Sequence, residues 1–125
     1  MSKVGSEVPN GIAFLIWSAT PAHPELCVTP LLHALAARAL DCQVEIHFAG
    51  PAVRWLVEGV ATHAFPTVAR EKSILDFLHP TAAEGISLFA CSMGWAAFTV
   101  EAENPIAVCT GMAGATAFVA RTLDP

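Results

Sequence analysis

The stretch GISLFACSMGWAAF, Gly85 to Phe98, holds the best-placed nucleophile of the sequence. An apolar run free of charge ends at Cys91, and Ser92, Met93 and Gly94 follow. If the run is a strand and the residues after it open a helix, Cys91 stands at a helix N-terminus. The free N–H groups there carry positive partial charge and favour a thiolate over a thiol. A thiolate attacks sulfane sulfur and carries it as a persulfide, and Gly94 would let backbone approach a bound substrate closely. The competing reading is packing, because cysteine is among the most buried residue types and serves as a small core hydrophobe. Position in the chain leaves both readings open.

The other three cysteines are Cys27, Cys42 and Cys109. No pair of the four has C-x-x-C spacing and no export signal is visible, so a disulfide framework is not expected. The cysteines and the five histidines show no paired ligand spacing, which leaves a zinc site unsupported. Cys109 lies inside IAVCT and reads as strand packing. Cys27 falls after the first apolar run, where it is either a partner for Cys91 or an ordinary loop or helix residue. Cys42 precedes the second run, at the opposite end of the sheet. His23 is the histidine best placed to reach Cys91 as acid or base, whereas His47 alternates with Val44, Ile46 and Phe48 and reads as a satisfied core or interface residue. CTGMAGAT has neither the Lys-Ser/Thr pair of a P-loop nor dinucleotide glycine spacing, and reads as a tight turn into a helix.

These side chains need elements to hold them. A chain of 125 residues fits one domain, expected over 11–125 after a loose polar arm over 1–10. IAFLIW, QVEIHF, GISLFA and IAVCT read as strands, apolar enough to be covered on both faces. Between them, helices are expected after Pro30, after Pro51, over SILDFLHP with Ser73 as N-cap and Pro80 as stop, and over MGWAAFTVEA; GMAGATAFVARTL closes the chain. THAFPTVA reads as a short edge strand broken by Pro66. Strands alternating with helices predict a three-layer α/β domain around a mostly parallel sheet of about five strands. Ligands of such sheets bind beyond the carboxyl ends of the strands. That places Thr20, Gly50, Ser92 and Gly111 around the mouth of any site at Cys91.

Composition narrows the function classes. The net charge is −5 and no basic cluster is present, which argues against nucleic acid as partner. The chain is 54% apolar and 14% charged, against about 25% charged in an average soluble domain. Gly85 to Val100 is too short for a spanning helix, which needs about 20 apolar residues. A cytoplasmic homo-oligomer that hides apolar surface between copies, without membrane attachment, fits these numbers.

Several strings taken in order are similar to the DsrE/DsrF-like family of small sulfur-relay proteins. They are IAFLIW leading into a long loop and helix, VEIHFAGPAVRWLVEG, ISLFACSMGWAAF and IAVCTGMAGATAFVARTL. The resemblance covers Gly11 to Leu123. It implies a flavodoxin-like α/β subunit in dimers, trimers or hexamers, with no metal or organic cofactor. It further implies that Cys91 accepts sulfur as a persulfide and passes it to a partner protein's thiol. A sulfurtransferase-like carrier is therefore the first functional expectation. A non-catalytic oligomeric scaffold or regulatory protein is the second, and a nucleotide or flavin binder at the strand edge the third.

Overall fold

The computed structural model describes residues 11–123, so the expected arm over 1–10 and the last two residues lie outside the described residues. Four strands, β1 (Gly11–Ile16), β2 (Gln43–Phe48), β3 (Ser87–Ala90) and β4 (Gly111–Met112), form one sheet in the order β1-β2-β3-β4. Every pairing is parallel. The helices are α1 (Glu25–Ala39), α2 (Ile74–Ala83), α3 (Ser92–Phe98) and α4 (Ala115–Leu123), with 3-10 stretches at Gly50–Leu56 and Ala61–His63.

Period-two alternation assigns the two faces of the sheet. Ile16, Val44, Ile46, Phe48, Leu88 and Ala90 are buried on one face. There α1 packs on β1 and β2, and α2 packs on α1. Helix α1 buries Cys27, Leu31, Ala34 and Ala37, and α2 buries Ile74, Leu78 and Thr81, each a stripe at helical spacing. A capping box starts α2: the Asp76 N–H donates to the Ser73 hydroxyl at 3.3 Å, and the Ser73 N–H to the Asp76 carboxylate at 2.9 Å. Gly85, at φ 85°, ends it.

The opposite face is covered differently. Glu45, His47 and Phe89 alternate with the core residues and look toward α4. The edge of the Phe118 ring meets the His47 ring with centroids 5.0 Å apart, and Arg121 Nε lies 3.4 Å from a Glu45 oxygen. No residue of α4 is buried. Leu15, Trp17 and Val119 remain exposed on or beside this face.

The expected layers are present, but several elements differ. Pro30 and Pro80 sit inside α1 and α2 instead of opening one and stopping the other. Each forfeits one ladder bond, to Leu26 and to Asp76, and both of those residues are exposed. Packing of the buried stripes carries the helices past them. The segment after Gly50 is 3-10, not α-helical, and buries Ala52, Val53, Trp55 and Leu56. THAFPTVA forms no strand; it starts inside the 3-10 turn at Ala61–His63 and runs on through a bend and a turn.

IAVCT is not a strand either. The Ile106 N–H donates to the Leu56 carbonyl, Pro105 bridges Val57, and the Cys109 N–H turns back to the Ile106 carbonyl. The segment is thus committed to the 3-10 stretch before it reaches β3. Thr110 joins β3 with both ends, its N–H donating to the Leu88 carbonyl at 2.7 Å and its hydroxyl accepting from the Leu88 N–H at 2.8 Å. Only Gly111 and Met112 then pair as strand, which leaves four strands among the described residues where about five are expected.

Candidate functional site

Cys91 is where β3 hands over to α3. Its N–H donates to the Phe48 carbonyl at 2.8 Å, extending the ladder one residue beyond β3. Its carbonyl accepts from the Trp95 N–H, also at 2.8 Å, which begins α3. The residue is the N-cap of α3 in extended conformation (φ −65°, ψ 125°), yet its side chain makes no capping hydrogen bond. The residue is half-buried. It is neither sealed in hydrocarbon nor held by the α3 amides, and the second of these departs from the expectation.

The surroundings come from the loops at the carboxyl edge. Gly50 follows β2 in left-handed backbone at φ 53°, a conformation that suits glycine. Trp17, just after β1, stands against it: a Cβ on Gly50 would lie 3.8 Å from Trp17 Cδ1. Gly94 turns inward. A Cβ there would meet Gly50 N at 2.9 Å, Val53 Cγ1 at 3.0 Å and Gly50 O at 3.1 Å. Its missing side chain therefore seats α3 on the Gly50–Leu56 stretch, a packing role in place of the substrate approach that its position predicts. Ser92 is exposed, with Oγ 3.5 Å from where a Cβ on Gly114 would sit, and Met93 is exposed too.

The remaining predicted residues scatter. Thr20 is half-buried in the loop after β1, where its carbonyl accepts from the His23 N–H at 2.9 Å. His23 is exposed and pairs through Nδ1 with Glu25 at 3.4 Å. Gly111 lies on β4 opposite Phe89, two residues short of Cys91 along the strand direction. Cys27 is fully buried in α1, and burial pushes its thiol up to about 12. The structure thus gathers Cys91, Ser92, Met93, Gly94 and Gly50 at one edge, and leaves Cys27 inside the core with its proton held.

Cys109, like Cys91, is half-buried. Burial raises its pKa, against the smaller opposing effect of hydrogen bonding with Gly111 and Ala90 backbone. Cys42 is buried at the other end of the sheet. Residues that sequence reasoning did not place here are Trp17, which closes the IAFLIW run, and Gly114, whose glycine-rich string it read only as a turn. His47 is also not the satisfied histidine it was expected to be. Its Nε2 is 2.8 Å from a Glu45 oxygen, but Nδ1 is buried without a hydrogen-bond partner.

The profile of the DsrE/DsrF-like family matches residues 12–124. The chain belongs to that family. The solved structure of the YchN protein from E. coli superposes with a TM-score of 0.73, covering 92% of this chain and 93% of that one at 14% identity. At that identity the likeness speaks for the fold alone. No curated protein matches the chain significantly. Among the described residues, no helix is long and apolar enough to cross a membrane. For a DsrE/DsrF-like protein the position of Cys91, at the carboxyl end of a central strand, is the feature to which function can be attached.

Proposed function

We propose that this DsrE/DsrF-like protein is a sulfur carrier whose working thiol is Cys91. The observation that carries the reading is a comparison of its four thiols. Cys27 and Cys42 are buried; Cys91 and Cys109 are both half-buried, but burial raises the pKa of Cys109, and it is Cys91 that stands where the strand edge meets a helix start. As thiolate, Cys91 attacks the sulfane sulfur of thiosulfate or polysulfide. With thiosulfate, the sulfur–sulfur bond breaks, sulfite leaves with the electron pair, and Cys91 keeps the sulfur as a persulfide. A partner protein's thiolate then attacks the terminal sulfur and regenerates the Cys91 thiolate. Gly50, Ser92, Met93 and Thr20 border the approach; His23 and Cys27 have no part in it. The protein works as a cytoplasmic homo-oligomer, with the exposed Leu15, Trp17, Met112 and Val119 supplying apolar surface between copies.

Incubation of the reduced protein with thiosulfate or polysulfide, followed by intact mass, tests the reading. One added sulfur is expected on the wild type and none on Cys91→Ser. No uptake, or equal uptake by Cys91→Ser, refutes it. The same exposed apolar surface favours a second reading, an oligomeric scaffold without chemistry, in which native Cys91 reacts with thiol reagents only slowly and unfolding speeds the reaction.

A further inference from the structure

We propose that His47, oriented by Glu45, is the base that removes the proton from Cys91; the inference rests on the sulfur-carrier reading of that thiol. His47 is 3% exposed, and its ring lies between those of Phe89, 5.1 Å away by centroids, and Phe118, 5.0 Å away. The Glu45 carboxylate 2.8 Å from Nε2 fixes the tautomer: Nε2 carries the hydrogen and donates it. Nδ1 then holds a free lone pair, and it is the one buried side-chain nitrogen or oxygen without a partner among the described residues. A buried acceptor left unpaired is costly and asks for a donor.

Strand register says where a donor stands. Glu45 precedes His47 by two residues on β2, toward the amino end of the sheet, so the opposite edge of the ring, with Nδ1, looks toward the carboxyl end. His47 is opposite Phe89, and the Cys91 N–H bonds to Phe48, so Cys91 is the next residue of β3's chain on the same face. The alternation supports that face, because Leu88 and Ala90 are fully buried on the other. Nδ1 accepts no hydrogen bond from the Cys91 thiol in the structure, so the proton passes between the two side chains through one bridging water. The step balances within the protein. The Sγ–H bond breaks, Nδ1–H forms, and the imidazolium sits on the Glu45 carboxylate while the thiolate faces the substrate. Charged groups facing this pair are Glu45 on β2 and Arg121 on α4, whose Nε is 3.4 Å from the same carboxylate oxygen. Phe89 on β3 and Leu15 on β1 bring no charge.

The test is the rate at which iodoacetamide alkylates Cys91 in the full chain, followed by peptide mass across pH, in wild type, His47→Phe and Glu45→Gln. Phenylalanine keeps the aromatic packing between Phe89 and Phe118 and removes the base. At pH 7 we expect His47→Phe to react at least about tenfold more slowly, the effect of one pH unit on a thiolate population. Glu45→Gln should react about threefold more slowly, as expected of a weakened orienting carboxylate. The deficit should vanish above about pH 9.5, where a free thiol ionises unaided; a merely steric block would persist there. A folded His47→Phe that reacts within twofold of wild type at pH 7 overturns the proposal. If that variant does not fold, an unchanged rate in Glu45→Gln does so. Fast, His47-dependent alkylation without sulfur uptake would sink the carrier reading and keep this one; unchanged alkylation with normal uptake would do the reverse.

Discussion

Gly94→Ala probes how α3, and with it Cys91, is seated. The new Cβ would meet Gly50 N at 2.9 Å, Val53 Cγ1 at 3.0 Å and Gly50 O at 3.1 Å, all closer than ordinary contact. None of these neighbours can swing away. Two are backbone atoms of a residue at φ 53°, and Val53 is a fully buried β-branched side chain. The strain has to move α3 off the Gly50–Leu56 stretch. Overpacking of this kind costs about 1–3 kcal/mol. Alanine's better helix propensity returns up to about 1 kcal/mol. A net loss of about 1–2 kcal/mol lowers Tm by about 3–10 °C in a domain of this size. Thermal melts followed by circular dichroism measure it. Val53→Ala in the same background removes the Cγ1 contact, so the double variant should lose less than the sum of the two singles. A Gly94→Ala protein as stable as wild type would refute the close seating of α3 and the placement of Cys91 that depends on it.

Two further outcomes follow from ionisable groups. Arg54 grips Glu103 with two hydrogen bonds of 2.9 Å, and the Val100 N–H adds a third, so the Glu103 carboxyl is lowered from its ordinary 4.5 to about 2. A depressed carboxyl contributes stability that is complete above its unfolded value and lost as pH falls through the folded one. Urea midpoints of wild type should therefore fall between pH 4.5 and about 2 more steeply than those of Glu103→Gln; parallel curves would refute the linkage. The Cys27 thiol, raised to about 12 by burial, should resist maleimide in the native protein and react on unfolding, and native labelling of Cys27 at the rate of Cys91 would show that α1 opens locally.

The sequence makes the parallel α/β order legible because the strands are mostly apolar runs with turn residues at their ends. It makes α2 legible because Ser73 stands as an N-cap at the head of SILDFLHP. It misleads at Pro30 and Pro80, where proline signals a boundary but burial on either side outweighs a single lost hydrogen bond. It misleads again at IAVCT, where Ile106, Val108 and Cys109 pack half-buried against the core and the backbone bonds to β3 only at Thr110; nothing local reveals that Ile106 bonds to Leu56. Cys91 could be chosen from its place between strand and helix. Gly94 could be found but not understood, since its contacts are with Gly50 and Val53, more than forty positions away in sequence. His47 was set aside because alternation predicts burial correctly and says nothing of whether both ring nitrogens find partners.

The two faces of the sheet are built under different constraints, and the difference bears on His47. The face under α1 and α2 is lined by buried apolar side chains, so a substitution there is judged by volume. The face under α4 holds an imidazole, a carboxylate and a guanidinium beneath a helix that buries none of its own residues. An unpaired buried nitrogen costs about 1–3 kcal/mol, and a phenylalanine at position 47 would fill the gap between two aromatic rings without that cost. His47→Phe should therefore raise Tm, or at worst leave it unchanged, although Glu45 then keeps only Arg121. If the same substitution also slows Cys91, stability and reactivity move in opposite directions at one residue, as expected where strain is held for a chemical purpose. If it lowers both together, His47 acts through packing, and the unsatisfied nitrogen carries no meaning for the thiol.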